Sequence, residues 1–442
     1  MVDNGFVTFD LIYLFYLTPI LISPHTPMSR SRPAPIAIVG GGPCGLTLAR
    51  LLELAGIDYV VFERDASAAP NRDHQGGSLD LHPGTGLAAL QAAGLMDEFE
   101  KFARREADVF TVQDCEGRSR YTTENEGSRP EIDRHQLRDI LLASVPASRI
   151  RWGKMLKTVE NGGAPGTADW VLRFADGSSE SGFRLVVGAD GAWSKVRPLV
   201  MTAKPKYSGR TYVEGRLSRA NPRYAAALEM VGPGNSAAIG AGRVLVVQQM
   251  ADRTYRIYAG VEEPESLAQP GGVLDFTTAD IEKSRTALLG FFADWAPHLR
   301  AFIEDAEGPW RVWPLHTFDT DVFSPEAEGK TWVHAPRVTL IGDAAHVALP
   351  NGEGVNQAML DALKLFECLS AESDERQGEP FDPEADAAAV DRAIVAYEGE
   401  MRIRAREHIE DGLMTNEMMY AADGAERMIA MFKQFAQEAS ES

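Results

Sequence analysis

Four segments, three of them punctuated by glycine, carry the residue types from which a site for a phosphorylated cofactor is built. The first is Gly40-Gly41-Gly42-Pro43-Cys44-Gly45, directly after the apolar run PIAIV and at the mouth of a helix-period stretch. In a G-x-G-x-x-G turn the first glycine makes the bend and the second admits a pyrophosphate to the backbone. The third lets the helix pack on the strand, while the helix-start N–H groups face the anion. Gly40, Gly42 and Gly45 take those places, with Cys44 inside the turn. The second segment closes the next apolar run, YVVFERD, where Glu63, followed by Arg64, lies about 20 residues beyond the turn, the position of a carboxylate that takes adenosine ribose hydroxyls. Taken alone, Glu63 also reads as a solvated strand-end carboxylate. An acidic group there disfavours a 2′-phosphate, which leaves FAD or NAD as the nucleotide.

The third segment, RLVVGADGAWSKVRP, ends an apolar run at Asp190-Gly191, with Ser194 and Arg197 following. The fourth, VTLIGDAAHVALPNGEGVNQAMLDALKL, runs into Gly342-Asp343 and then into Gly352-x-Gly354, where Val355 and Asn356 open another helix. Asp190 has a plainer reading as a helix N-cap after its strand. His346 is a candidate general base or a structural histidine, the latter favoured.

These segments need elements to hold them. Residues 34–65 read strand, glycine turn, helix, strand, which is a βαβ unit, and a second strand–glycine–helix anion site far downstream implies a nucleotide domain assembled from separated pieces. A chain of 442 residues with 44% hydrophobic and 24% charged residues has room for two or three packed domains. A formal net charge of −20 repels polyanions, so nucleic acid is excluded as a partner. Three scattered cysteines make no disulfide framework and no metal set, which fits a reducing, cytoplasmic setting. Residues 6–22 are strongly apolar. They read as an upstream extension with Met28 as the true start, as a membrane anchor, or as a packed accessory segment; association with a membrane is not the favoured reading.

In this order the motifs resemble the FAD-binding aromatic hydroxylases, the single-component class A flavoprotein monooxygenases. GGSLDLH at residues 76–82 and EIDRHQLR at 131–138 are similar to the tetracycline-inactivating flavin monooxygenases and their fungal-type biosynthetic relatives. The resemblance implies an α/β fold: a Rossmann-like FAD domain from residues 34–206 and 314–375, an α+β, β-rich substrate domain at 207–313, C-terminal bracing helices at 383–436, and an N-terminal extension at 1–33. It implies FAD as cofactor, NADPH or NADH as transient reductant, and O₂. One oxygen atom is then expected to pass through a flavin C4a-hydroperoxide to a small phenolic, enolic, polyketide-like or alkaloid-like substrate, as in secondary metabolism. Carried over by residue, Arg134 lies along the FAD phosphate and ribityl region, Asp343 holds a ribityl hydroxyl, and the N–H groups of Gly354, Val355 and Asn356 face the flavin N1–C2=O edge. Asp190 falls in the dual FAD/NADPH motif, and Arg72 and Asp80 match positions near the flavin; Arg72 equally reads as a solvated loop arginine.

No protein side chain is singled out as catalytic, with Pro350 and Asn351 expected near the oxygen-side face. Glu214 and Arg216 alternate on a strand-like stretch, which puts both on one face, either lining a substrate pocket or facing solvent. A long helix is expected at about 383–412 and a shorter one at about 425–436. Competing functions are a halogenase, suggested by Trp310 and Trp313, a dehydrogenase or reductase on the same FAD site, and a non-catalytic redox sensor.

Overall fold

The β-branched runs flagged in the sequence pair side by side. In the computed structural model Ile36–Val39 lies parallel to Leu185–Gly188 on one side and to Tyr59–Phe62 on the other. Val338–Leu340 extends the sheet beyond Leu185–Gly188, and Ile150–Arg151 beyond Tyr59–Phe62. Every residue of Ile36–Val39 and Leu185–Gly188 is buried, as expected of parallel strands covered on both faces. The helices Pro43–Leu54 and Gly354–Asp374 pack together over the sheet, while Phe174 and Phe183 from a small antiparallel sheet and its exit close on Phe62. The structure describes residues 33–69, 76–123, 126–163, 168–277, 280–324, 331–374, 376 and 380–441. The extension over 1–33, save Pro33, and Arg72 lie outside them. Among the described residues no helix is long and apolar enough to cross a membrane.

A seven-stranded sheet forms the second layer, in the order Glu307–Thr317, Lys206–Leu217, Tyr255–Glu262, Arg243–Gln249, Asn235–Gly240, Phe110–Asp114, Arg120–Thr122. It takes in chain from outside the expected 207–313 span, because Phe110–Asp114 pairs in parallel with Asn235–Gly240. A partnership between segments so distant leaves no trace in local periodicity. One face carries Val213, Leu217, Leu245 and Ile257 and packs on Leu288, Phe292, Leu299 and Phe302 of the helices Ile281–Phe291 and Pro297–Glu304 and their flanks. The opposite face is divided. Part of it, with Val112, Tyr212, Ala237 and Val244, meets Met418, Met419, Tyr420 and Met428 from the C-terminal helices; the rest is polar.

The long helix is Pro383–Tyr420 rather than one ending near 412. Gly412 is not a stop: it lies against the backbone of Leu349, where a Cβ would stand only 3.0 Å from the carbonyl oxygen, so it serves a close packing contact in mid-helix. The following helix is Gly424–Glu441.

Candidate cofactor site and the sheet face beside it

All four chemistry-bearing segments leave the carboxyl edge of the parallel sheet, the edge where open α/β sheets bind their ligands. Gly40 has φ +114, and a side chain there would overlap the carbonyl of Ala189, so the turn after Ile36–Val39 is closed to any other residue. Gly45 lies so close to the Gly40 carbonyl that a methyl group would collide with it. Gly42 is different: a Cβ built on it meets nothing within 4 Å. It is the N-cap of Pro43–Leu54, so the first free N–H groups of that helix open onto the same space. Gly354 likewise faces open space at the start of Gly354–Asp374. The Cys44 thiol, pushed up in pKa by burial, donates to the Ala358 carbonyl at 2.8 Å and ties the two helix starts together.

Between those helix ends lies Gly342-Asp343, and of three residues that the motif reading gave no role, Arg197 and Asp361 fix its position while Arg138 braces the first glycine turn. Arg197, with its pKa lowered to about 10 by burial, donates to the carbonyls of Ala344 at 2.7 Å, Asp343 at 3.0 Å and Gly191 at 3.3 Å. It thus joins the Asp190 turn to the Asp343 turn. Asp361 accepts from the Gly342 N–H at 2.9 Å, from His346 at 2.5 Å and from Arg404 at 3.0 Å. Burial raises the Asp361 pKa, but the charges of His346 and Arg404 and these hydrogen bonds outweigh it and hold the carboxyl ionised. Arg138, buried one turn beyond Arg134, donates to the Gly41 carbonyl at 3.3 Å and to Asp65 at 3.0 Å. The sequence did carry signals for two of them: Asp361 interrupts an apolar helix face, and Arg138 repeats Arg134 at a spacing of one helical turn.

The remaining expected residues are distributed unevenly. Glu63 accepts from the Gly41 N–H at 2.5 Å and the Asp65 N–H at 2.9 Å, so it braces the glycine turn while each oxygen keeps a lone pair free. Arg64 is exposed beside it. Arg134 is exposed at the first position of the helix Arg134–Ala143, which opens with an Asp133/Gln136 capping box worth about 1 kcal/mol. Asp190 accepts from the Lys195 N–H and caps a turn, not a helix; its second oxygen is buried without a partner among the described residues. His346 pairs with Asp361, a structural role. Val355 is buried, and the Asn356 side chain is fully committed, donating to the Asp80 and Gly352 carbonyls and accepting from the His82 N–H. Only its backbone is available to a ligand. Asn351 donates to Asp411 at 2.7 Å, and the Pro350 carbonyl accepts from Asn416 at 2.9 Å. The 347–353 loop is therefore strapped to the long C-terminal helix. Trp310 stacks on Phe276 at 5.0 Å, and Trp313 donates to Glu214 at 2.8 Å; both tryptophans are structural partners.

Asp80 and Glu353 grip His82 from both sides, at 2.7 and 2.6 Å, beside the start of Gly354–Asp374. Burial works against the charged ring, but the hydrogen bonds and charges of the two carboxylates outweigh it and raise its pKa to about 9. The folded value lies above the ordinary 6.5, so the clasp contributes fully below pH 6.5 and is lost as pH rises through 9. Urea midpoints measured at pH about 6 and about 9.5 are expected to fall in the parent and to fall much less in His82→Gln. Equal falls in the two proteins would remove the clasp as the cause.

The seven-stranded sheet presents its polar face to this edge. Gln248 bridges the Ser78 N–H and carbonyl at 3.0 and 3.3 Å, and the Tyr258 hydroxyl reaches the backbone of Gly77, next to Arg134. Glu214, expected on a pocket or a solvent face, is 1% exposed, and Arg216 follows it on the same side of the strand. Two helix starts over open space and a partnerless Arg138 nitrogen form a donor set that fits a diphosphate, and the partnerless Asp190 oxygen is an acceptor for a hydroxyl of the same long nucleotide.

A family described as FAD binding domain matches residues 33–218 and 318–393 of this chain. The chain is 30% identical over 438 residues to "Monooxygenase penA" of Penicillium thymicola, covering 91% of this chain and 99% of that protein. It is 30% identical over 397 residues to 3-amino-4-hydroxybenzoate 2-monooxygenase of Streptomyces cremeus, covering 85% and 88%. Among solved structures it is similar to Klebsiella pneumoniae HpxO complexed with FAD and uric acid, with a TM-score of 0.68 and 24% identity over 90% of this chain and 93% of that one.

Proposed function

The chain belongs to the FAD-binding-domain family and is an FAD-dependent monooxygenase, and from that premise we propose that it hydroxylates or epoxidises a small phenolic or enolic compound of the polyketide-like or alkaloid-like kind met in secondary metabolism, with NADPH or NADH as reductant. The observation that carries this reading is the convergence of four strand-end segments and a polar sheet face on one carboxyl edge. When bound, FAD supplies the redox chemistry, taking hydride from a reduced nicotinamide and passing one atom of O₂ to the substrate.

The chain's own residues bind, orient and shield. The open space in front of Gly42 and the helix start behind it suit the pyrophosphate, with Arg138 adding positive charge. Glu63 has lone pairs left for the ribose hydroxyls, and Asp343 suits a ribityl hydroxyl. The N–H groups of Gly354, Val355 and Asn356, at a helix start that faces open space, would suit the end of the cofactor where negative charge develops on reduction. The face bearing Glu214 and Tyr258 suits the substrate, and the 347–353 loop, held by Asn416 and Asp411, suits the wall that keeps water out. The relative from Streptomyces cremeus, named for a phenolic substrate, supports the substrate class.

Purified protein is expected to show a bound-flavin visible spectrum and NADPH or NADH consumption stimulated by a phenolic or enolic compound, with label from ¹⁸O₂ in the product. Substrate-stimulated turnover without label in the product would sink the oxygen-transfer reading in favour of dehydrogenation.

A further inference from the structure

In a chain of formal net charge −20, one face of the seven-stranded sheet gathers three arginines around a single carboxylate. Strand register places them. Glu214 lies directly across from Arg311 on one neighbour and from Tyr258 on the other, and Arg216 lies directly across from Arg256. One oxygen of the Glu214 carboxylate accepts from the Trp313 indole at 2.8 Å; the other lies 3.3 Å from Arg256 in an ion pair and has no hydrogen bond among the described residues. Glu307, the acidic residue opposite Arg216, is taken by Ser218 and Asn221 instead. What remains is a surplus of positive charge. The Nε atoms of Arg216 and Arg256 and both Nη atoms of Arg311 are buried without a hydrogen-bond partner among the described residues.

Such an arrangement is unfavourable for the fold alone. Like charges directly across antiparallel strands repel, and each buried N–H left unpaired forfeits its hydration. Guanidinium groups are planar, permanently charged forks that match a planar oxyanion in two-point contact. The same face touches the cofactor edge through Tyr258, whose hydroxyl reaches Gly77 beside Arg134.

We infer that Arg216, Arg256 and Arg311 form a specificity site for a planar organic oxyanion carried by the substrate, a carboxylate or an ionised enol. This rests on the substrate lying against this face as proposed above. Glu214 sets the limit of the site: it holds Arg256 in place and leaves charge for one anionic group.

The test uses the FAD-loaded protein and three probes: salicylate, its neutral carboxamide salicylamide, and the enolate of cyclohexane-1,3-dione. Binding is read from the flavin difference spectrum. At least one of the anions is expected to bind about tenfold more tightly than salicylamide, and which of them does so separates carboxylate from enolate. Arg216→Met and Arg311→Met are each expected to abolish that preference. Without any probe, Arg216→Met is expected to melt at or above the parent temperature, because it removes one of two facing like charges. Equal binding of anion and amide, no response to either anion, or a clear drop in melting temperature for Arg216→Met would each overturn the assignment. A normal flavin spectrum in the parent alongside any of these results would leave the monooxygenase reading standing, whereas loss of that spectrum in the parent would strike at the reading itself.

Discussion

Gly42→Val is expected to give a folded but colourless protein. The residue has an extended backbone, φ −80 and ψ 179, which valine before a proline adopts readily. Nothing lies within 4 Å of its Cβ direction, so the new methyl groups meet no protein atom at their point of attachment. They enter the space that a pyrophosphate needs to reach the helix start. The affinity for FAD is therefore expected to fall by about 100-fold or more, roughly 3 kcal/mol, while the melting temperature of the flavin-free protein stays close to that of the flavin-free parent. Flavin fluorescence titration and circular dichroism measure the two halves separately. A yellow protein with parental affinity would show that the pyrophosphate does not pass over Gly42. Gly45→Val serves as the contrast, since its side chain would strike the Gly40 carbonyl and disturb the turn itself.

Asp361→Ala should be among the most destabilising single changes in the chain. One carboxylate serves the Gly342 N–H, His346 and Arg404, and the residue is 1% exposed. Removing it strands three donors at once, one of them an arginine, and breaking such a buried pair costs about 3–5 kcal/mol. The turn carrying Asp343 loses its anchor as well, so weaker flavin retention accompanies the lower stability. Asp361→Asn, which keeps one acceptor oxygen, is expected to fall between. Denaturant titration of the FAD-loaded proteins gives the energies, and a loss below about 1 kcal/mol for the alanine variant would mean that the turn is held by other contacts.

What was legible in the sequence was local. The glycine turn after Ile36–Val39 announces itself because the bend, the helix start and the strand are contiguous, and the Gly342-Asp343 and Gly354 motifs do so for the same reason. The ties between motifs were not legible: Arg197 reaches carbonyls almost 150 positions away, and nothing in its own neighbourhood states that. The sheet face shows the same divide. Alternation placed Glu214 and Arg216 on one side of a strand, but only pairing register brings Arg256 and Arg311 beside them. Pro350 and Asn351 were expected near the oxygen-side face, and what local sequence does not state is that Asn351 bonds to a helix some 60 positions later. The end of that helix was misplaced because glycine ordinarily marks a stop, whereas Gly412 answers to a loop in close contact.

The parallel sheet also has a history written into its strand order. Its strands come from residues 36–39, 59–62, 150–151, 185–188 and 338–340, so during synthesis four of them exist long before the fifth. The whole of the 206–317 region emerges in that interval, and the edge of the early sheet at Leu185–Gly188 stays without its neighbour until Val338–Leu340 arrives. Non-local pairing of this kind is slow, and an unpaired parallel edge is prone to wrong partners. The binding edge is therefore complete only once Val338–Leu340 and the Gly342-Asp343 turn behind it have emerged.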